Sequence, residues 1–361
     1  MSGTDPSKVD AVVLVGGKGT RLRPLTLSAP KPMLPTAGLP FLTHLLSRIA
    51  AAGVEHVILS TSYQAATFEA EFGDGSKLGL QIEYVTETDP LGTGGGIANV
   101  APRLRNDTVM VFNGDVLSGA DLTQMLAAHH DTGAELTLHL VRVSDPRAFG
   151  CVPTDDTGRV LAFLEKTEDP PTDQINAGTY IFNRSIIDRI PRGRAVSVER
   201  EVFPALLSDG VKVCGFVDSS YWRDMGTPED FVRGSSDLVR GLAPSPALGG
   251  QRGESLVHDG ASVAPGAVLI GGTVVGRGAE IGPGVRLDGA VIFDGARIDA
   301  GSVVERSIIG FGAHIGPRAL IRDGVIGDGA NIGARCELLR GARVWPGVAI
   351  PDCGIRYSSD I

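Results

Sequence analysis

TVVGRGAEIGPGVRLDGAVIFDGARIDA, residues 273–300, decides how this chain is read. An aliphatic side chain returns every six positions, at Val275, Ile281 and Leu287, and after one five-residue step at Ile292 and Ile298. The same spacing reaches back to Val263 and Leu269, and resumes at Ile309, Ile315, Ile321, Ile326, Ile332, Leu338, Val344 and Ile350. A period of six fits neither the 3.6 of a helix nor the 2 of a lone strand, but it suits a triangular coil whose flat sides each take one hexapeptide. The aliphatic then points inward. Glycine follows it at Gly276, Gly282, Gly310, Gly316, Gly327 and Gly333, and is expected to adopt the left-handed corner conformations that cost other residues energy.

The pattern resembles the hexapeptide-repeat left-handed parallel β-helix. Composition marks the same region off: of 49 glycines in 361 residues, 21 lie in the last 107, a stretch with no lysine and 10 Arg against 11 Asp+Glu. Upstream, LAPSPALGGQRGES (242–255) reads as a linker of prolines and small residues. The organisation expected is residues 1–241 as one domain, 242–255 as linker and 256–361 as the β-helix.

Residues 9–240 alternate strand and helix signals. Strands are predicted at 9–15, 57–60, 82–85, 108–115, 136–143, 160–165 and 179–182. A helix at 41–52 is opened by Pro40 and closed by Gly53, and another begins at Pro228 behind the cap Thr227 and runs to about residue 239. This is the signature of an α/β, Rossmann-like domain with a mainly parallel mixed sheet, whose ligands should meet the carboxyl ends of the strands.

A formal net charge of -9 argues against a nucleic-acid partner, which would call for a clustered basic surface. No run of about 18 apolar residues and no cationic leader is present, so no membrane partner is expected and a cytoplasmic location is. Four scattered cysteines without a C-x-x-C pair suit a reducing compartment. Any polyanion must be met by a few local cations or by a metal.

Directly after the first strand comes GGKGTRLRPLT (16–26), neither a Walker A loop nor G-x-G-x-x-G. A flexible turn is the plain reading. Three glycines, a hydroxyl and two arginines at a strand's carboxyl end are also what a phosphate chain needs: approachable backbone N–H groups and forked guanidinium donors. Lys31 stands between prolines in PKPMLP (30–35), which restricts the backbone and helps to aim its ammonium.

GGKGTRLRPLT followed by PKPMLP resembles the signature of the sugar-1-phosphate nucleotidylyltransferases. The resemblance continues through LGTGG (91–95), FNGD (112–115), FLEK (163–166), INAG (175–178), SVEREVFP (197–204) and YWRDMGTPEDF (221–231), and many members carry a β-helix tail. It implies transfer of a nucleotidyl group from an NTP to a sugar 1-phosphate, with Mg²⁺ held by Asp115 and Asp224. Among the members these motifs look most like those that use GTP and mannose 1-phosphate; UTP or dTTP with glucose 1-phosphate is the nearest rival. The resemblance further implies that Arg21, Lys31 and Lys166 act in catalysis. Val15, Gly16, Gly17, Gly19, Thr20, Arg21, Glu87, Gly92, Thr93, Asn113 and Asp115 would attend the nucleotide. Gly150, Glu165, Lys166, Asn176 and Gly178 would attend the sugar phosphate. Glu165 and Lys166 raise a local question, because neighbours on a strand face opposite ways and both can serve only if the strand ends or twists there.

Two readings from other classes compete. A hexapeptide acyltransferase would need a histidine base, for which the tail offers His258 and His314. A silent regulatory homologue would be expected to have lost phosphate-loop or metal residues, and none of those named is missing. The open ends and flat faces of the β-helix suit association into a homo-oligomer.

Overall fold

The computed structural model describes residues 5–62, 64–249 and 252–355. Its contacts gather into two compact units, one of Met1–Gly17 with Leu45–Trp222, the other of Lys18–His44 with Arg223–Ile361. The sequence reading sets its boundary after residue 241; by contacts, residues 18–44 and 223–241 group with the C-terminal coils.

The first unit holds a nine-stranded mixed sheet: β1 (Val9–Leu14), β2 (His56–Thr61), β3 (Gln81–Thr86), β4 (Thr108–Asn113), β5 (Leu136–Arg142), β6 (Gly150–Cys151), β7 (Leu164–Glu165), β8 (Gln174–Asn183) and β9 (Val213–Asp218). The order runs β7-β6-β8-β4-β1-β2-β3, with β5 between β8 and β9. β3, β2, β1 and β4 are mutually parallel, as are β5 and β9. β8 runs against β4, β5 and β6. Val9, Ala11, Val12 and Val13 of β1 are wholly buried, as expected of a central strand covered on both faces. Asp10 is buried among them because its carboxylate is saturated: it accepts from the Arg105 and Asn106 backbone N–H groups at 2.6 and 2.8 Å, from Asn106 Nδ2 at 2.9 Å, and pairs with His56 Nδ1 at 2.8 Å.

The strands predicted at 9–15 and 136–143 each end one residue early, and two others are shorter by more. The one at 108–115 stops at Asn113, leaving Gly114 and Asp115 in a turn, and of 160–165 only Leu164–Glu165 pairs as a strand. Val160 makes just an isolated bridge to Thr154.

In the second unit, three parallel sheets of six, six and five short strands form the left-handed β-helix. The aliphatic series sorts into one column per sheet: Val275, Ile292, Ile309, Ile326 and Val344; Ile281, Ile298, Ile315, Ile332 and Ile350; Leu287, Val304, Ile321 and Leu338. Val304, one six-residue step after Ile298, fills the place before Ile309 and extends the series given by the sequence reading. Val263, on the terminal strand of its sheet, is 38% exposed rather than inward and covered. The glycines after the aliphatics also have a different reason to be there. Positive φ falls two positions later, at Gly278 (64°) and Gly284 (67°) for example. Gly276 and Gly282 are small because the next coil is close: a Cβ would lie 2.7 Å from Asp294 N and 2.9 Å from Ala300 N.

The Pro228–Val239 helix begins as predicted, with Thr227 Oγ1 accepting from the Asp230 N–H at 3.1 Å and proline in the first turn. It packs on the Thr273–Val275 strand, so closely that Gly272 has no room for a Cβ beside Ser236. All four cysteines are free thiols. No helix among the described residues is long and apolar enough to cross a membrane.

Candidate active site

The loop leaving β1 is held at its start by the Val15 N–H, which donates to Ser60 O at 3.0 Å. Gly16 faces Ser62, whose Oγ would lie 3.1 Å from a Cβ there. In the other unit, Gly19 combines positive φ (54°) with close contact: a Cβ would lie 2.9 Å from Thr26 Cγ2 and 3.2 Å from Lys31 Cβ. Thr26 Oγ1 donates to Gly19 O at 2.8 Å. Thr20–Leu22 then makes one 3-10 turn, anchored by the fully buried Leu22.

Lys31 is 8% exposed, in a short turn between Pro30 and Pro32, and its Nζ is 3.8 Å from Asp224 Oδ1. Gly226 shows that Arg21 converges on the same place, since a Cβ on it would lie 2.6 Å from Arg21 Nη2 and 3.0 Å from Asp224 Oδ1. Three of the expected residues, far apart in sequence, thus meet within one unit. Two cations beside a carboxylate form a group that can take both an anion and a hard cation, since Arg and Lys supply donors only and an ionised Asp acceptors only.

In the first unit, Asn113, Asp115, Asn176 and Gly178 form one group, and Gly150, Glu165 and Lys166 a second. At the end of β4, the Gly114 N–H donates to Leu14 O at 2.9 Å, which fixes the turn carrying Asp115. Asn113 faces Gly178, where φ is 75° and a Cβ would lie 2.8 Å from Asn113 Nδ2. β8 shifts register between Asn176 and Tyr180, which brings the Gly178 N–H to Asn176 Oδ1 at 3.1 Å and Asn176 Nδ2 to the Tyr180 hydroxyl at 2.8 Å. Burial and then the charge of Glu199 push the Tyr180 pKa up, so this phenol stays protonated. Trp222 Nε1 donates to Ala177 O at 3.0 Å and steadies the segment.

In the second group, β7 pairs with β6, setting Glu165 opposite Gly150. A Cβ on Gly150 would crowd the Phe163 ring at 2.7 Å and Glu165 Oε2 at 3.0 Å. The strand ends at Glu165, and Lys166 turns into the left-handed region (φ 52°) while its N–H donates to Phe149 O at 3.1 Å. This answers the question about adjacent residues: a break in the backbone frees Lys166 from strand alternation. A side chain other than glycine in that conformation is costly, and such residues concentrate at functional sites. Burial first, then Glu199, raises the pKa of Glu165, with Lys166 and Arg200 pulling the other way.

Glu87, Gly92 and Thr93 have structural duties. Glu87 Oε2 accepts from the Leu91 N–H at 3.1 Å and Oε1 from Ser60 Oγ at 3.3 Å, ahead of the Gly92–Val100 helix. Gly92, Gly94 and Gly95 lie against the backbone of 194–196, and the Gly94 and Gly95 N–H groups donate to Val196 O at 2.8 and 3.2 Å. Thr93 Oγ1 donates to Glu199 Oε2 at 2.9 Å and accepts from the Val198 N–H at 2.9 Å, joining LGTGG to SVEREVFP. Glu199, Arg200, Tyr180 and Gly226 join these groups without being expected from the sequence. Glu199 and Arg200 lie in SVEREVFP and Gly226 in YWRDMGTPEDF, but nothing in one dimension shows Glu199 and Arg200 beside Glu165.

Among the described residues no group of three or more His, Cys, Asp or Glu side chains gathers as a metal cluster. An ionised aspartate such as Asp115 or, in the other unit, Asp224 offers oxygen donors of the kind a hard divalent ion takes. His314, the acyltransferase candidate, has Nε2 2.8 Å from Asp299 Oδ2, while His258 Nε2 is 3.2 Å from Ala37 O.

The nucleotidyl transferase family model matches residues 10–241, and a model described as GMPPB C-terminal domain matches 251–356. The chain is 82% identical to a mannose-1-phosphate guanylyltransferase of Mycobacterium tuberculosis, over 98% of this chain and 99% of that protein. It is 36% identical to a mannose-1-phosphate guanylyltransferase catalytic subunit beta of Drosophila melanogaster, over 76% of this chain and 72% of the relative. Among solved structures it resembles HddC from Yersinia pseudotuberculosis complexed with GMP-PN, with a TM-score of 0.56 and 31% identity, covering 63% of this chain and 99% of HddC.

Proposed function

The chain belongs to the nucleotidyl transferase family, and from that premise we propose that it joins GTP to α-D-mannose 1-phosphate, giving GDP-mannose and pyrophosphate. The observation that carries the substrate assignment is the 82% identity, along 98% of the chain, to a mannose-1-phosphate guanylyltransferase. The convergence of Arg21, Lys31 and Asp224 supports the chemistry.

The physical problem is repulsion: an NTP and a sugar phosphate, both strongly anionic, have to meet. In the proposed reaction an oxygen of the sugar phosphate attacks the α-phosphorus of GTP in line, a new P–O bond forms, and the bond to pyrophosphate breaks. The substrate phosphate is already a competent nucleophile, so the protein's work is positioning and charge stabilisation. Arg21 and Lys31 are assigned to the triphosphate and its transition state, together with the backbone of Val15, Gly16, Gly17, Gly19 and Thr20. Lys166 is assigned to the sugar phosphate, Glu165 to two sugar hydroxyls, and Asn176, Gly150 and Gly178 to the rest of that pocket. Mg²⁺ held by Asp115 and Asp224 would supply neutralisation of phosphate charge. For Asn113, Glu87, Gly92 and Thr93 the nucleotide-facing role rests on the resemblance, with Glu87 as acceptor for guanine N1 and N2.

The test is a substrate panel: pyrophosphate release with GTP, UTP, dTTP and ATP against mannose and glucose 1-phosphates. GTP with mannose 1-phosphate should be fastest; faster turnover of UTP or dTTP with glucose 1-phosphate would overturn the guanylyl assignment. We further propose a cytoplasmic homo-oligomer associated through the β-helix. Light scattering on a size-exclusion column reads the stoichiometry, and a monomer at micromolar concentration would refute association.

A further inference from the structure

The β-helix reaches the loop that carries Arg21. Arg343, on the strand that ends the first of the three sheets, donates from Nη1 to Arg21 O at 2.8 Å and to Arg23 O at 2.7 Å. On the coil beside it, Asp328 accepts from Ser28 Oγ and is itself fixed by the Phe311 N–H at 2.9 Å. The loop from Arg21 to Ser28 is therefore tied near both ends to neighbouring coils of the same unit. The carbonyls that Arg343 takes lie at the C-terminal end of the Thr20–Leu22 turn, where acceptors lack partners within the helix and a cation is favoured.

We propose that Arg343 is a positioning residue for nucleotidyl transfer, setting the backbone of Arg21 so that its guanidinium converges with Lys31 on Asp224. The β-helix then belongs to the catalytic apparatus as well as to any assembly. This rests on the reading of Arg21 as a phosphate-binding cation. A guanidinium whose own carbonyl, and the carbonyl two residues on, each accept a charge-assisted bond has less freedom to wander, and displacement of about 1 Å in such a group can cost on the order of 100-fold in rate.

The experiment compares Arg343→Ala, Arg343→Lys, Arg21→Ala and the Arg21→Ala/Arg343→Ala double variant in the full-length protein, reading kcat, KM and backbone amide exchange over residues 19–28. Arg343→Ala should lower kcat roughly 10- to 100-fold, speed exchange in that segment, and leave Tm within about 2 °C because the side chain is exposed. Arg343→Lys should recover part of the loss, and Asp328→Asn should act in the same direction more weakly. In the Arg21→Ala background, Arg343→Ala should cost nothing more. A wild-type kcat and unchanged exchange in Arg343→Ala, or an undiminished loss in the double variant, would overturn the proposal while leaving the Arg21 assignment intact. A wild-type rate in Arg21→Ala would defeat the underlying site reading and this inference with it.

Discussion

The two groups of candidate residues are built on opposite principles. Around Asp224 the protein gathers cations, with Lys31 buried and Arg21 pressed against Gly226. Around Glu165 it gathers acceptors and hydroxyls, with Glu199 close enough to raise its pKa and Tyr180 kept neutral. The first arrangement suits phosphate and metal, the second suits sugar hydroxyls. The contrast teaches that each half of the proposed substrate pair finds a matching environment, and it can be tested by asking whether substitutions separate rate from sugar binding.

The largest effect is expected at the carboxylates. Asp224→Ala, and likewise Asp115→Ala, should lower kcat by about 10³-fold or more at fixed Mg²⁺, since charge stabilisation dominates such reactions; a pyrophosphate-release assay near the wild-type rate would erase the phosphate side of the contrast. Gly226→Ala comes next. Its methyl group would overlap Arg21 Nη2, so the arginine must shift and kcat should fall roughly 10- to 100-fold with Tm little changed.

Glu165→Gln should instead raise KM for mannose 1-phosphate about tenfold with a smaller change in kcat. Because burial and then Glu199 raise the folded-state pKa of Glu165, this group takes up a proton at a higher pH than a free glutamate does as the solution is acidified. The wild-type profile of kcat/KM should show that acidic limb, and the Gln variant should lack it. The linkage has the matching sign: a raised carboxyl pKa contributes stability below its unfolded value and loses it as pH rises, so Glu165→Gln should not lower Tm at neutral pH. The smallest effect is assigned to Tyr180→Phe. It removes the acceptor for Asn176 Nδ2 and should cost about 1 kcal/mol in denaturant unfolding, with a less than tenfold change in KM.

Much of the architecture was legible in one dimension because repetition averages out local exceptions. The inward columns of the coil follow from spacing alone, and Val304, six positions after Ile298, belongs to the same series. The reason for Gly276 lay out of reach, since a neighbouring coil's backbone has no trace in local sequence. In the sheet unit, propensity extends the strand past Asn113, whereas pairing stops at Leu14–Asn113, the last pair that the Gly114 bond to Leu14 completes, and the chain turns at Gly114 and Asp115. SVEREVFP marks Glu199 as part of a motif, but its proximity to Glu165 and Thr93 has no trace in the order of residues.

The left-handed backbone at Lys166 has a consequence for how this position can change. Glycine would take that conformation without the Cβ strain while adding backbone freedom to the unfolded chain, so Lys166→Gly should gain at most about 1 kcal/mol of conformational stability while removing the ammonium assigned to the sugar phosphate. A screen for heat resistance alone would drift toward that variant and discard activity on the way, whereas a screen for product formation would keep the lysine and its discomfort. One codon thus sets durability and turnover against each other.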